Sequence, residues 1–372
     1  MDFTDTRQLR SAFDGGSPTV GVEEELMLLD PATLDLAPRV SEVLRSLEGD
    51  PRFKSELPAA QIESITSPSE TVEGASAQVL SAREALAAAA APLLPAGAGT
   101  HPFAAAEGEL SDDDRYAFTR REYGPVAPRQ LVFGLHVHVK IAGADRALGV
   151  YNALRSYLPE LAALAANAPF HAGADTGFAS IRPQLAELLP RQGVPPALEG
   201  VDGLAEALRF GREAGTFPEA RMWWWELRPH AVLGTLELRV PDQQTTVADG
   251  AAVAAVAQSL AVALAQRHDG GERLPVHPSW KIAENRWSAA RHGLEGSLAD
   301  LDSGAPVQAR RRVLELIESL RPTAAQLGCS GELESAATLA ARNGSERQRE
   351  VAARGGLRAV TEELAARFLS PA

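Results

Sequence analysis

Apolar and polar positions alternate with a period of two in several stretches of the first two-thirds of the chain, and this predicts strands. In TVGVEEELMLL (19–29) apolar residues occupy both parities around Glu23, Glu24 and Glu25, and Asp30-Pro31 ends the run as a turn. QIESIT (61–66) predicts a second strand closed by Ser67-Pro68, and LVFGLHVHVKI (131–141) a third. MWWWELRP (222–229) and GTLELRVPD (234–242) predict two paired strands around a short turn. Elsewhere the period is helical. An alanine-rich helix is expected over 74–91, and a long helical region, N-capped by Asp145, is broken near Pro159. Beyond Thr245 helices are expected over 247–267, 307–327 and roughly 332–369, with irregular connections at 275–278 and 293–306. Residues 171–201 are rich in Gly and Pro and read as a loop with short elements. Strands first and a helical layer afterwards favour an α+β fold over βαβ alternation. One catalytic domain over 1–372 is expected, sheet-rich over about 18–246 and mostly helical over about 247–372.

Side chains i and i+2 share a strand face at about 6.6–6.8 Å. Glu23 and Glu25 therefore point together and Glu24 points the other way, so Glu24→Gln should be mild while Glu23→Gln and Glu25→Gln abolish turnover. A strand with apolar residues on both faces gives Glu23 and Glu25 no inexpensive way to stay charged without a cation. The arrangement recurs. Glu63 shares a face with Gln61, His136 with His138, and Glu237 with Arg239, each opposite apolar neighbours. Taken singly, a Glu-Arg pair reads as a buried ion pair and a His pair as a surface face. If the four converge, they supply ligands for two or three divalent ions and an Arg for an anion. Glutamate oxygens with one or two His suit Mg²⁺ or Mn²⁺ rather than zinc. Hard cations and an Arg on a sheet are what phosphoryl transfer from ATP requires.

Composition changes the picture only by exclusion. A net charge of −13 argues against nucleic acid or an anionic membrane as partner. The single cysteine, Cys329, excludes an internal disulfide, fits a reducing cytoplasm and reads as a packing residue. MDFTDTRQLR lacks the basic start and apolar core of a signal peptide, so a cytoplasmic protein is expected. There is no phosphate-binding P-loop, His-Glu-x-x-His, paired-cysteine zinc motif or Gly-x-Ser-x-Gly elbow.

GVEEELMLLD, SELPAAQIESITSP, GTHPFA, RQLVFGLHVHV, NAPFHAGADTGFASIRPQL, WWWELRP and TLELRVPDQQTTV, in that order, resemble the glutamate–cysteine ligase type 2 family of YbdK-like carboxylate–amine ligases. The resemblance covers about residues 18–265. It implies the curved antiparallel sheet of the glutamine synthetase and guanidino kinase fold, carrying ATP and metals. By motif match Glu23, Glu25, Glu63 and Glu237 would be metal ligands, with His136 or His138 on a metal or a phosphate. Arg239 would contact the phosphates, and Lys140 could add a contact. Arg182, and secondarily Arg228, would bind a substrate carboxylate, so that Arg239, Arg228 and Glu237 form the catalytic set. The tryptophans 223–225 read as core packing in preference to adenine stacking. His101 and Tyr116 occupy family positions whose role the residues do not disclose.

The expected activity is ATP-dependent amide formation through an acyl phosphate, with glutamate as the acid and cysteine as the amine. Small-molecule substrates and a homodimer are the expected partners, and the loop 171–201 is the expected cover. The same ligase chemistry with another acid or amine stays open, as do a guanidino kinase-like phosphotransferase and a non-catalytic nucleotide- or metal-binding protein.

Overall fold

The computed structural model describes residues 5–217 and 219–370. Its centre is a seven-stranded antiparallel sheet, whose members are β1 (Val20–Leu29), β2 (Phe53–Ser55), β3 (Gln61–Ile65), β4 (Leu94–Ala96), β5 (Leu135–Lys140), β6 (Leu227–His230) and β7 (Thr235–Leu238). The order is β2-β3-β1-β5-β7-β6, and β4 pairs with the end of β1 at Met27–Leu29. β2 pairs with β3 and β6 with β7, but the other four pairings join strands that are not consecutive, so the sheet is assembled largely from non-local pairings.

Parity assigns the two faces. Val20, Val22, Leu135, Val137, Val139, Leu236 and Leu238 all point to one side and share one core. That core is completed by the helices Val72–Ala90, Ala144–Leu154 and Val247–Asp269. Leu135, Val137 and Val139 are fully buried, each removal from water being worth roughly 1.5–3 kcal/mol. The helix Val247–Asp269 is the one described helix long and apolar enough to cross a membrane, but 78% of its most apolar window is buried inside the protein. Its apolar circumference is explained by neighbours on every side, since it packs against the sheet and against the helices Ala309–Leu327 and Ser330–Ala341. Thr71 and Thr246 cap their helices through the N–H groups of Gly74 and Asp249, and Asn343 with Glu346 forms a capping box.

Glu24 lies on the core side of β1, opposite its neighbours as parity requires. It meets Arg83 of the helix Val72–Ala90 through two hydrogen bonds of 2.5 and 3.0 Å. Arg83 also donates to the carbonyls of Gln244, Thr245 and Phe368, tying the chain's last helix to the back of the sheet. Glu24 is 1% exposed and Arg83 fully buried, so a mild Glu24→Gln does not follow for stability. The pair is an interior ion pair.

Other boundaries shift for physical reasons. The strand at 131–141 begins only at Leu135, because residues 131–134 serve as a connection whose Gly134 makes a single bridge to Asp242. Residues 220–222 form a tight turn and the strand begins at Leu227, so the tryptophans lie ahead of β6 rather than in it. The helix expected to be capped by Asp145 starts at Ala144 with Gly143 at the cap. Asp145 sits in its first turn and pairs with Arg10 at 2.7 Å. The helix Gly200–Glu213 was not expected, and a hairpin of Ser297–Ala299 with Pro306–Gln308 occupies part of the 293–306 connection.

Candidate active site

The register of the sheet decides which polar side chains meet. Glu25 stands opposite Glu63, Glu23 opposite His136, and His138 opposite Glu237. The candidate residues, drawn from β1, β3, β5 and β7, therefore form two groups on the face turned away from the core. In each group one ligand atom per residue lies within 4.8 Å of the others: Glu23, His138 and Glu237 in the first, and Glu25, Glu56 and Glu63 in the second.

In the first group, His136 Nδ1 and His138 Nε2 each lie 3.2 Å from a different oxygen of Glu23. Burial pushes the Glu23 carboxyl up, but the hydrogen bonds to His136 and His138 outweigh it and hold the group well below the usual carboxylate range. Glu237 is fully buried, and the Arg228 and Arg239 guanidiniums overcome the cost of burial and hold it ionised. His138 titrates above its ordinary value, because Glu237 and Glu23 prevail over desolvation. His136 is pushed down to about 4, first by burial and then by Arg239. The pocket thus already favours positive charge beside Glu23 and Glu237. The Nε2 of His136 is buried without a hydrogen-bond partner, and that of His138 has only Glu23 beside it. Two carboxylates and an imidazole nitrogen are a donor set that fits a hard divalent ion.

The second group has three carboxyls, Glu63 buried and Glu25 and Glu56 half-buried. Burial, followed by the charge of Glu56, pushes Glu25 up to about 7, and Glu63 is raised well above the ordinary range by burial, Glu23 and Glu56. Lys54 Nζ meets Glu63 at 2.6 Å, and Tyr116 donates to Glu56 at 2.8 Å. The backbone N–H of Gly134 donates to Glu25. Carboxyls that crowd together and resist ionisation are the arrangement a cation relieves. Sequence reasoning missed Glu56. It lies just after β2, where no alternation marks it, although it falls within the SELPAA stretch. Tyr116 gains a role as the group that orients Glu56.

Arg239 follows β7 and donates to Glu237 at 2.6 Å, leaving the rest of its guanidinium along the wall of a cavity of about 580 Å³. Glu23 of the first group, all three carboxyls of the second, Lys54, Arg115, Tyr116 and Trp224 also contribute to that wall. Arg228 also lines this cavity, but its guanidinium is engaged by protein groups. It grips Glu237 through bonds of 2.5 and 3.0 Å and donates to the carbonyls of Arg221 and Trp223. Arg182 donates to the carbonyls of Arg239 and Val240, keeps an unbonded Nε, and lines a recess shared with Arg239. Lys140 does not join the site, because its ammonium donates to the carbonyl of Ala12 at 2.9 Å and it is absent from the cavity wall. Of the tryptophans, Trp223 is buried against Phe217, while Trp224 reaches the cavity edge beside Tyr123 and Arg191. His101 is structural, its ring nitrogens engaged with the backbone of Leu34, Phe103 and Ala104. Cys329 is buried 3.6 Å from Ser259, away from the cavity.

Known proteins resemble this chain in sequence and in fold. Residues 19–366 match the model of glutamate–cysteine ligase family 2. A Rubrobacter xylanophilus protein named "Putative glutamate–cysteine ligase 2-3" is 39% identical over 362 residues, covering 94% of this chain and 98% of the other. A similarly named Frankia casuarinae protein is 36% identical over 351 residues, covering 91% and 92%. The fold is similar to a crystal structure of glutamate–cysteine ligase from Francisella tularensis in complex with AMP, with a TM-score of 0.69 at 12% identity, covering 96% of this chain and 90% of that one. A bifunctional glutathione synthetase from Pasteurella multocida gives a TM-score of 0.64 at 14% identity, covering 99% of this chain and 54% of that one.

Proposed function

The chain belongs to glutamate–cysteine ligase family 2, and we propose that its pocket joins an amino-acid carboxylate, glutamate's γ-carboxylate by the family's name, to an amine using ATP. The observation that carries this reading is the pair of acidic groups beside Arg239, with Glu23 of one and all three carboxyls of the other lining a single cavity. Divalent Mg²⁺ or Mn²⁺ held by Glu23, His138 and Glu237, and by Glu25, Glu56 and Glu63, would neutralise and orient the phosphates.

Arg239, half-buried and bonded to Glu237, presents a fixed guanidinium to the charge that develops on the transferred phosphoryl group. Arg228 acts through Glu237, which it holds in one orientation, rather than on substrate. Arg182, with its unbonded Nε beside Arg239, is assigned to the substrate carboxylate. The carboxylate oxygen bonds to the γ-phosphorus as the bond to ADP breaks. The amine's lone pair then forms the C–N bond, the C–O bond to phosphate breaks, and the displaced amine proton passes to solvent. Water must be kept from the acyl phosphate meanwhile. Arg115, Tyr116, Phe118, Thr119 and Trp224 line the main cavity, whereas 171–201 reaches the side chamber through Leu189 and Gln192 and the recess beside Arg239 through Arg182, Pro183, Ala186, Gln192 and Gly193. We therefore assign the cover to 115–119 in preference to 171–201. The buried single cysteine supports a cytoplasmic setting.

An acid-by-amine matrix read by ADP release tests the reading, with hydroxylamine trapping the acyl phosphate as a hydroxamate. Splitting of ATP to AMP and pyrophosphate, or amide formation without ATP use, would overturn it.

A further inference from the structure

A side chamber of about 110 Å³ opens from the main cavity, sharing Glu25, Glu56, Tyr116, Thr119 and Trp224 with it. Its inner wall combines the apolar Leu57, Val132 and Leu189 with the amides of Gln61, Gln130 and Gln192. Among the described residues no Lys, Arg or His lines it. Gln61 is 2% exposed and its Oε1 is buried without a partner. A buried amide left unsatisfied costs about 1–3 kcal/mol, so a ligand that donates to it recovers that free energy. Gln61 also shares a face of β3 with Glu63, two residues on, which places the amide beside the second acidic group.

The chemistry of this wall selects between the two substrates. An amino acid used as the acid carries two carboxylates, and a chamber whose wall holds no basic side chain gives neither of them a cationic partner. An amine supplies N–H donors for the Gln61 amide and a small body for the apolar wall. We propose that this chamber is the subsite for the amine substrate, and that it selects a small amine with an uncharged body, reading no carboxylate on it. The inference rests on the ligase reading above and specifies one half of its reaction. It also separates the substrates in space, with the acid at the Arg182–Arg239 recess and the amine on the other side of Trp224 and Gln192, which line both.

The test uses the full-length enzyme with ATP, Mg²⁺ and glutamate, and compares cysteine with cysteamine, which lacks only the carboxylate. Cysteamine is expected to match or exceed cysteine in kcat/KM for ADP release. Gln61→Leu should raise KM for the amine about tenfold, the scale of one hydrogen bond lost at a buried group, while moving KM for glutamate and ATP far less. Val132→Phe, which narrows the chamber from its partly exposed side, should lower kcat/KM for cysteamine about tenfold more than for the smaller hydroxylamine. A preference for cysteine of more than about tenfold, which needs a cation that reads its carboxylate, overturns the proposal. A Gln61→Leu effect on KM for glutamate instead of the amine does the same. Hydroxamate formation whose amine selectivity ignores both variants overturns the chamber alone. Absence of hydroxamate from the wild-type enzyme with every acid overturns the ligase reading with it.

Discussion

Glu24→Gln separates the two faces of β1 in one experiment. The carboxylate is 1% exposed and shares two hydrogen bonds with the fully buried Arg83. Replacing it by the isosteric amide keeps the shape but leaves an interior guanidinium without its counter-charge. Breaking a buried ion pair by removing one partner costs about 3–5 kcal/mol. At an unfolding entropy of about 2.1 cal/mol/K per residue near the midpoint, a chain of this length loses about 4–6 °C in Tm for that destabilisation. The assay is thermal unfolding followed by circular dichroism, beside ADP release well below the transition. Turnover should stay within about threefold of wild type, because Glu24 faces away from the acidic groups and touches none of them. Combining Glu24→Gln with Arg83→Met should cost less than the sum of the two single changes, since the second removes the stranded charge. A Tm within about 1 °C of wild type would show the pair to be energetically idle. Turnover lost with unchanged stability would mean the parity of β1 does not divide structure from chemistry.

Glu23→Gln and Glu237→Gln should abolish turnover, and each should also remove most of the Tm increase that Mg²⁺ or Mn²⁺ produces in the wild-type protein, a readout independent of catalysis. An ion-induced increase that survives both changes would place the ions elsewhere. Arg239→Lys should lower kcat by about 10²–10³-fold with a smaller change in KM, because a point charge replaces a guanidinium already braced on Glu237. Lys140→Met should leave kcat and KM for ATP within about twofold, as expected of a side chain bonded to the Ala12 carbonyl outside the cavity, and a rise in KM for ATP would return it to the site. Cys329→Ser should retain activity while lowering Tm modestly, because the thiol packs against Ser259 in the core.

Much of the architecture was legible from local periodicity, because a period of two needs only neighbouring residues to declare itself. It placed Glu23 with Glu25, His136 with His138 and Glu237 with Arg239, and it turned Glu24 to the opposite face. The helix Gly200–Glu213 carried a readable signal that went unused, with buried Val201, Leu204, Ala205 and Leu208 at helical spacing. The tryptophans misled because three aromatic residues in a row mimic strand propensity, while the tight turn at 220–222 kept them outside β6. The tertiary structure alone decided the pairings, since register depends on strands far apart in sequence: Glu25 opposite Glu63, and His138 opposite Glu237. It split the carboxylates into two groups and brought in Glu56 from a connection without periodicity, through its bond to Tyr116. It also withdrew Arg228 into Glu237 and Lys140 into the Ala12 carbonyl, outcomes that parity cannot foresee. Alternation tells a charged side chain which face to take, but the partner that waits there is set by how distant segments cross, and a buried charge takes whichever partner the fold supplies.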